Sequence, residues 1–371
     1  MSLWENHKIA ICVGTGGVGK TTVSAALALA ATRHGARTLA ITVDPAKRLA
    51  HALGLKELSS QIVEVPREEL AKRGIAGRRQ LSVMLLDVKH TFDELITSHS
   101  ENADTRKAIF ENRLYQEFSK NLAGALEYAA VEKLYKLYLS GNYDFIVVDT
   151  PPSQNALSFL DAPARMVQFI DQSAAKWIFK SPSLWSMKLL DIGSTLIQHT
   201  FGKMAGGATI RELVAFLTNL SELYAGFSEH HQATEKLLKS EKTAFVLVSS
   251  SRNEQGKARQ NFVQNLFERG FPLKATIINR VREPLQVSIP HNTLEQIGRE
   301  YSAELRDIIH HELLLIEHDQ ALLQQIRTLA GDIPLIALPD LAPSDDELTN
   351  LVSLQEILFT ELCSRVDSPG R

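Results

Sequence analysis

Short runs of apolar residues with little polar alternation recur along the chain. They lie at Lys8–Val13 (KIAICV), Arg37–Val43 (RTLAITV), Leu81–Val88, Tyr143–Val148 (YDFIVV), Thr243–Ser249 (TAFVLVS), Lys274–Asn279 (KATIIN) and Ile333–Leu338. Runs of this kind predict strands buried on both faces. Between them the apolar spacing changes to three and four residues, as in the alanine-rich stretch Thr21–His34 and at Leu114, Phe118, Leu122 and Leu126 within Thr91–Ser140, which predicts helices. A second helical pattern runs from Asp44 to about Leu53. Alternating strands and helices predict a doubly wound, mostly parallel α/β sheet.

The strand pattern stops after Val148 and resumes only at Thr243. A sheet that pauses and resumes predicts one α/β domain over residues 1–371 carrying an α-helical insertion at 156–238, not two domains in series. The insertion has its own composition: Trp177 and Trp185, Met166, Met187 and Met204, and six phenylalanines from Phe159 to Phe227, broken by Gly193, Gly202, Gly206 and Gly207. Such a segment reads as a helical subdomain packed on itself and the sheet. It reads equally as an apolar groove that adapts to varied partners, because methionines and scattered glycines let a surface re-pack.

The first strand runs into GTGGVGKTT, Gly14–Thr22, and the first long helix leaves it. Strand, glycine-rich loop and helix in that order are the context of a phosphate-binding loop. Gly14, Gly16, Gly17 and Gly19 permit positive φ, so that successive N–H groups can face one concavity. The helix N-terminus adds its own N–H groups and positive dipole end. Gly16, Gly17, Val18, Gly19, Lys20, Thr21 and Thr22 form the predicted cradle, with Lys20 reaching the β/γ-phosphates and the Thr21 hydroxyl placed to ligate Mg²⁺. A phosphate loop of the GxxxxGKT type predicts a nucleoside triphosphate as ligand.

Two carboxylates end strands beside this loop. Asp149 follows Phe145–Val148, which places it at the carboxyl edge of the sheet, where it would hold Mg²⁺ through water. The stretch Thr150–Asn155 after it would form a loop able to sense the γ-phosphate. Asp44 ends the second strand and would orient the attacking water. Asp44 followed by Pro45 is also a good helix N-cap with proline at the first helical position, and both readings can hold. Asn279 closes its strand, and its amide matches the N6/N7 edge of adenine. No acid follows it in the manner of a guanine reader, which favours ATP over GTP. The pairs His230-His231 and His310-His311 lie in helical patterns, where adjacent side chains diverge by about 100° and do not chelate.

Charge and cysteine content narrow the setting. With 40 basic and 43 acidic residues, bulk attraction to nucleic acid or anionic membrane is not expected. Cys12 and Cys363 are the only thiols, which suits a reducing compartment and excludes a CxxC zinc clasp. No apolar run is long enough to span a bilayer and no signal-peptide pattern opens the chain, so a soluble, cytoplasmic protein is expected.

GTGGVGKTT, the strand-ending DPAKRLAHALGL at Asp44–Leu55, DTPPSQNAL from Asp149 and the INR triplet at Ile278–Arg280 together resemble one family. It is the family of the arsenite-pump ATPase ArsA and of the guided-entry ATPase that targets tail-anchored membrane proteins. The likeness covers most of the chain in the family's order. It implies a deviant-Walker, MinD-like P-loop fold and an ATP-dependent homodimer. It also implies that Asp44 is the water-activating switch I aspartate, Asp149 the switch II aspartate, and Asn279 the adenine-binding asparagine. The inserted helices would match the subdomain that binds an apolar transmembrane helix in the targeting branch, so that the chain would meet membrane only through such a partner.

Three departures stand out. Thr15 occupies the place of the family lysine that reaches the partner subunit's nucleotide, and it supplies no charge there. The CxxC that clasps zinc between subunits is missing, and so is the cysteine set of an arsenite site. The leading expectation is therefore an ATP-driven switch acting on an apolar protein partner. A P-loop kinase or ligase acting on a small molecule is the alternative, and it would need a polar pocket where the insertion is mostly apolar. An ATPase energising anion transport is disfavoured by the missing thiols. A partitioning ATPase bound to DNA or membrane is opposed by the acidic amphipathic stretch Asp345–Arg365.

Overall fold

The structure is a computed structural model, and it describes residues 3–43, 48–55, 59–72, 75, 79–100, 102–113, 115–116, 119, 125–150, 161, 164, 219, 224–252, 256–283, 303–341 and 347–363. Asp44 and nearly all of the predicted insertion, apart from three isolated residues and the helix that begins at Tyr224, lie outside them.

A short helix α1 (Leu3–Asn6) precedes β1 (Ile9–Val13), α2 (Lys20–His34), β2 (Thr38–Thr42) and α3 (Arg48–Ala52). Then come β3 (Val63–Glu64), α4 (Arg67–Ala71), β4 (Leu81–Leu85), α5 (Val88–His99), α6 (Ala103–Glu111), α7 (Ala125–Ser140) and β5 (Phe145–Asp149). The second half supplies α8 (Tyr224–Lys239), β6 (Thr243–Ser250), α9 (Gly256–Glu268), β7 (Leu273–Val281), α10 (Ala303–Ala330), β8 (Leu335–Pro339) and α11 (Glu347–Cys363). The eight strands of the described residues join one sheet in the order β3-β4-β2-β5-β1-β6-β7-β8. Every pairing is parallel except β3 with β4. Strands from both sides of the segment at 156–223 therefore share one ladder, with β1 between β5 and β6.

The apolar runs become strands because both sheet faces are covered. In β1, Ile9, Ile11 and Val13 join the core on one face with helices α5 to α9, while Ala10 and Cys12 face the other core with α2 and α11. Each Ile or Val so buried contributes about 1.5–3 kcal/mol. Helix α2 is buried from Val23 to Thr32, and its alanines let it lie close to the sheet. It stops where Gly35 takes a left-handed conformation, φ 107°, and returns its N–H to the Ala31 and Thr32 carbonyls. Among the described residues, no helix is long and apolar enough to cross a membrane.

At the opposite edge from the phosphate loop, Arg37 just before β2 forks onto Asp144 just before β5, with Nε donating to Oδ2 at 3.1 Å and Nη2 to Oδ1 at 3.0 Å. Those bonds hold the Asp144 carboxyl down at about 2. A lowered carboxyl pKa adds stability that is complete above the unfolded value and fades as pH falls through the folded one. The Asp144→Asn variant is expected to lose less stability than the parent protein between about pH 5 and pH 2, checked by urea titration at each pH.

Candidate functional site

Order reverses around β1 in this sheet: the chain crosses from β1 to β2 on one side, and from β5 over β1 to β6 on the other. Ligands of open α/β sheets lie in the crevice at such a point, outside the strand carboxyl ends. The loop Gly14–Gly19 emerges there. A Cβ at Gly14 would lie 2.1 Å from the Val248 carbonyl oxygen of β6, so only glycine lets the chain leave β1 along this path. Gly17 and Gly19 take positive φ, as the glycine spacing predicts, whereas Gly16 is not among the positive-φ glycines.

Helix α2 begins at Lys20 with Gly19 as N-cap and, among the described residues, no side-chain cap bond at its start. An uncapped first turn presents backbone N–H groups and the positive dipole end to an anion. Lys20 is buried, and its Nζ donates to the Gly14 and Thr15 carbonyls, each at 2.9 Å. The ammonium is thereby tied across the base of the loop. Val18 is buried, Gly16 and Gly17 are exposed, and Thr21 and Thr22 are half-buried at the start of the helix.

Asp149, the last residue of β5, stands opposite Cys12 of β1 and is 2% exposed. The Thr42 hydroxyl at the end of β2 donates to its Oδ2 at 3.0 Å, and the Thr150 hydroxyl donates to the Cys12 carbonyl at 2.7 Å. The ends of β1, β2 and β5 are thus laced together around one carboxylate. Burial pushes the Cys12 thiol up to about 12, with Asp149 raising it further and Lys20 lowering it. A carboxylate and an ammonium are therefore both felt at the sulfur near the end of β1. From the far side, Asn279 of β7 is buried, and its Nδ2 donates to the Val18 carbonyl at 3.0 Å.

A fixed ammonium, an uncapped helix start and a buried carboxylate one strand away form an arrangement suited to a polyphosphate with a hard divalent cation. The family model described as anion-transporting ATPase matches residues 7–296, a span containing all of these groups. The chain belongs to the anion-transporting ATPase family. It is an ATPase that binds and hydrolyses ATP in a P-loop α/β fold. Similar proteins include ATPase get3 of Aspergillus niger, 25% identical over 276 residues covering 74% of this chain and 73% of the relative. ATPase get3 of Aspergillus terreus is 25% identical over 272 residues, covering 73% and 72% of the two chains. ATPase GET3 of Malassezia globosa is 26% identical over 281 residues, covering 76% and 74%.

In this ATPase the structure gathers Lys20, Thr21, Asp149 and Asn279 around the loop, while Asp44, just beyond Thr42, lies outside the described residues. Of the stretch Thr150–Asn155, only Thr150 is described. Thr42 escaped the sequence reading, and so did the bond from Thr150, read there only as the start of a phosphate-sensing loop, to the Cys12 carbonyl; the signal for Thr42 is a hydroxyl near the end of an apolar run, one residue short of Val43. His230 lies away from the site, with Nε2 2.8 Å from Glu132 Oε1 and its ring edge-on to Tyr135. It packs where α8 meets α7.

Proposed function

We propose that this ATPase is a cytoplasmic, homodimeric conformational switch that couples Mg-ATP hydrolysis to holding and releasing an apolar protein segment, such as a membrane-protein helix. The observation that carries the proposal is the placement of the apolar, methionine-rich segment 156–238 immediately downstream of Asp149, so that a change at the phosphates reaches it through the chain itself. Membership in the family and the relatives named ATPase GET3 support the same reading.

In this scheme, Gly16, Gly17, Val18, Gly19, Lys20, Thr21 and Thr22 hold the phosphates, and Asn279 reads the adenine edge. The Thr21 hydroxyl, and Asp149 through water, would hold Mg²⁺, which would supply positive charge beside the phosphates. Asp44 orients the attacking water for in-line displacement. Thr15, being uncharged, gives nothing to a neighbouring subunit's nucleotide, so each site works with its own Lys20. Segment 156–238 is an inserted α-helical subdomain within a single P-loop domain of residues 1–371, and its apolar side chains grip the partner.

The test is fluorescence anisotropy of a labelled apolar helix of about 20 residues, titrated with the full chain alone, with Mg-ATP, and with Lys20→Ala as control. Affinity that changes with Mg-ATP, with no such change in the control, is expected. Equal affinity in all three arms, or no binding in any, would overturn the client-holding role and leave an ATPase acting on another class of partner.

A further inference from the structure

The side chain of Asn279 is committed to the phosphate loop before any base arrives. Its amide faces the Val18 carbonyl at 3.0 Å, and a carbonyl can only accept, so the facing atom is the nitrogen. The contact links residues that are 261 apart in sequence. It is also tight from the loop side: a Cβ at Gly19 would lie 2.1 Å from Asn279 Nδ2, so position 19 must be glycine for the amide to reach Val18.

The strand that carries Asn279 is shaped to present it. Arg280, the next residue, has φ 59°, a left-handed conformation that costs a non-glycine residue about 1 kcal/mol or more. The β7–β8 register shifts between Ile278 and Val281 at the same place. The turn is held by neighbours: Ser251 Oγ donates to the Arg280 carbonyl at 2.6 Å, and the Ser251 N–H donates to the Asn279 carbonyl at 3.3 Å. Arg252 pairs with Asp340 just beyond β8, whose N–H donates to the Val281 carbonyl at 3.0 Å. The ends of β6, β7 and β8 are stitched around Asn279, whose amide touches the loop.

We propose that Asn279 is a positioning residue for the phosphate loop, so that a single amide couples base recognition to the geometry of the phosphate cradle. An asparagine amide has two N–H donors and one acceptor oxygen. One N–H goes to Val18, which leaves one donor and the oxygen to meet the N7 acceptor and N6 donor of an adenine edge. The amide fixes the Val18 carbonyl, and with it the peptide leading into Gly19 and the first turn of α2. A ligand with no base then still depends on Asn279. This rests on nucleotide binding at the loop and is independent of any apolar client.

Inorganic tripolyphosphate separates the two roles, because it fills the phosphate site and has no base to read. Calorimetric titrations with tripolyphosphate and with ATP would be run on the full chain and on Asn279→Ala. Tripolyphosphate affinity is expected to fall about fivefold, the worth of one hydrogen bond, and ATP affinity by more. Ser251→Ala, which loosens the Arg280 turn without touching the loop, is expected to weaken tripolyphosphate in the same direction by a smaller factor, and it serves where Asn279→Ala does not fold. Hydrogen exchange of the Val18–Lys20 amides in nucleotide-free protein is expected to quicken in both variants. Unchanged tripolyphosphate affinity and loop exchange, whatever happens to ATP, would reduce Asn279 to a reader of the base and overturn the proposal. Failure of Lys20→Ala to weaken tripolyphosphate would instead put the phosphate site itself in error, so the two failures are distinguishable.

Discussion

Lys20→Ala is expected to weaken ATP binding by about a hundredfold or more and to stop measurable turnover. A hydrogen bond to a charged group is worth about 1.5–3 kcal/mol, and about 1.4 kcal/mol is a factor of ten, so losing even two such contacts to phosphate reaches that range. The structure adds why a mobile charge elsewhere does not substitute. Lys20 is 6% exposed and its ammonium is tied to the Gly14 and Thr15 carbonyls at 2.9 Å, so its position is set before the ligand arrives. A preorganised charge binds without the entropy cost of ordering a long side chain. Lys20→Arg is expected to rescue little, because a planar fork does not fit a seat built for a compact ammonium. Calorimetry with ATP on the folded variant checks this, and wild-type affinity in Lys20→Ala would remove the loop from nucleotide binding.

The tie between Lys20 and its own loop was not legible in the sequence, although Lys20 was. The glycine spacing, the lysine and the threonine stand within nine consecutive residues, Gly14–Thr22, so local pattern is enough to find them. The strands were legible for a different reason. β1, β2, β5 and β6 are buried at every position, and burial on both faces leaves an unbroken apolar run. β3 was not foreseen: two residues, Val63 and Glu64, half-buried and exposed, pair antiparallel at the sheet edge and carry no pattern of their own. Contacts between distant segments were equally hidden. Asn279 ends its strand visibly, yet nothing near it names Val18, and Thr42 and Asp149 meet only because β2 and β5 are neighbours in register. Sequence pattern finds groups that share a turn or a strand; the sheet order decides which of them meet.

Gly14→Ala is expected to be the most damaging single-methyl change in the loop. The new Cβ would stand 2.1 Å from the Val248 carbonyl oxygen and 3.2 Å from its carbon, both backbone atoms. Val248 cannot yield cheaply, because β6 is held in register on both sides, by Val13 against Leu247 and by Val248 against Ile277. The loop must move instead, at the upper end of overpacking costs, about 3 kcal/mol. Moving Gly14 also moves a carbonyl that seats Lys20, so stability and ATP affinity should fall together. Gly17→Ala makes the contrast: its φ is 79°, but nothing lies within 4 Å of the added carbon, so only the left-handed backbone strain of about 1–2 kcal/mol applies. Urea unfolding of the two variants should therefore rank Gly14→Ala well below Gly17→Ala in stability, with ATP binding lost in the former and weakened in the latter. Equal losses would mean that backbone freedom, and not the close approach of β1 to β6, is what the first glycine of the loop provides.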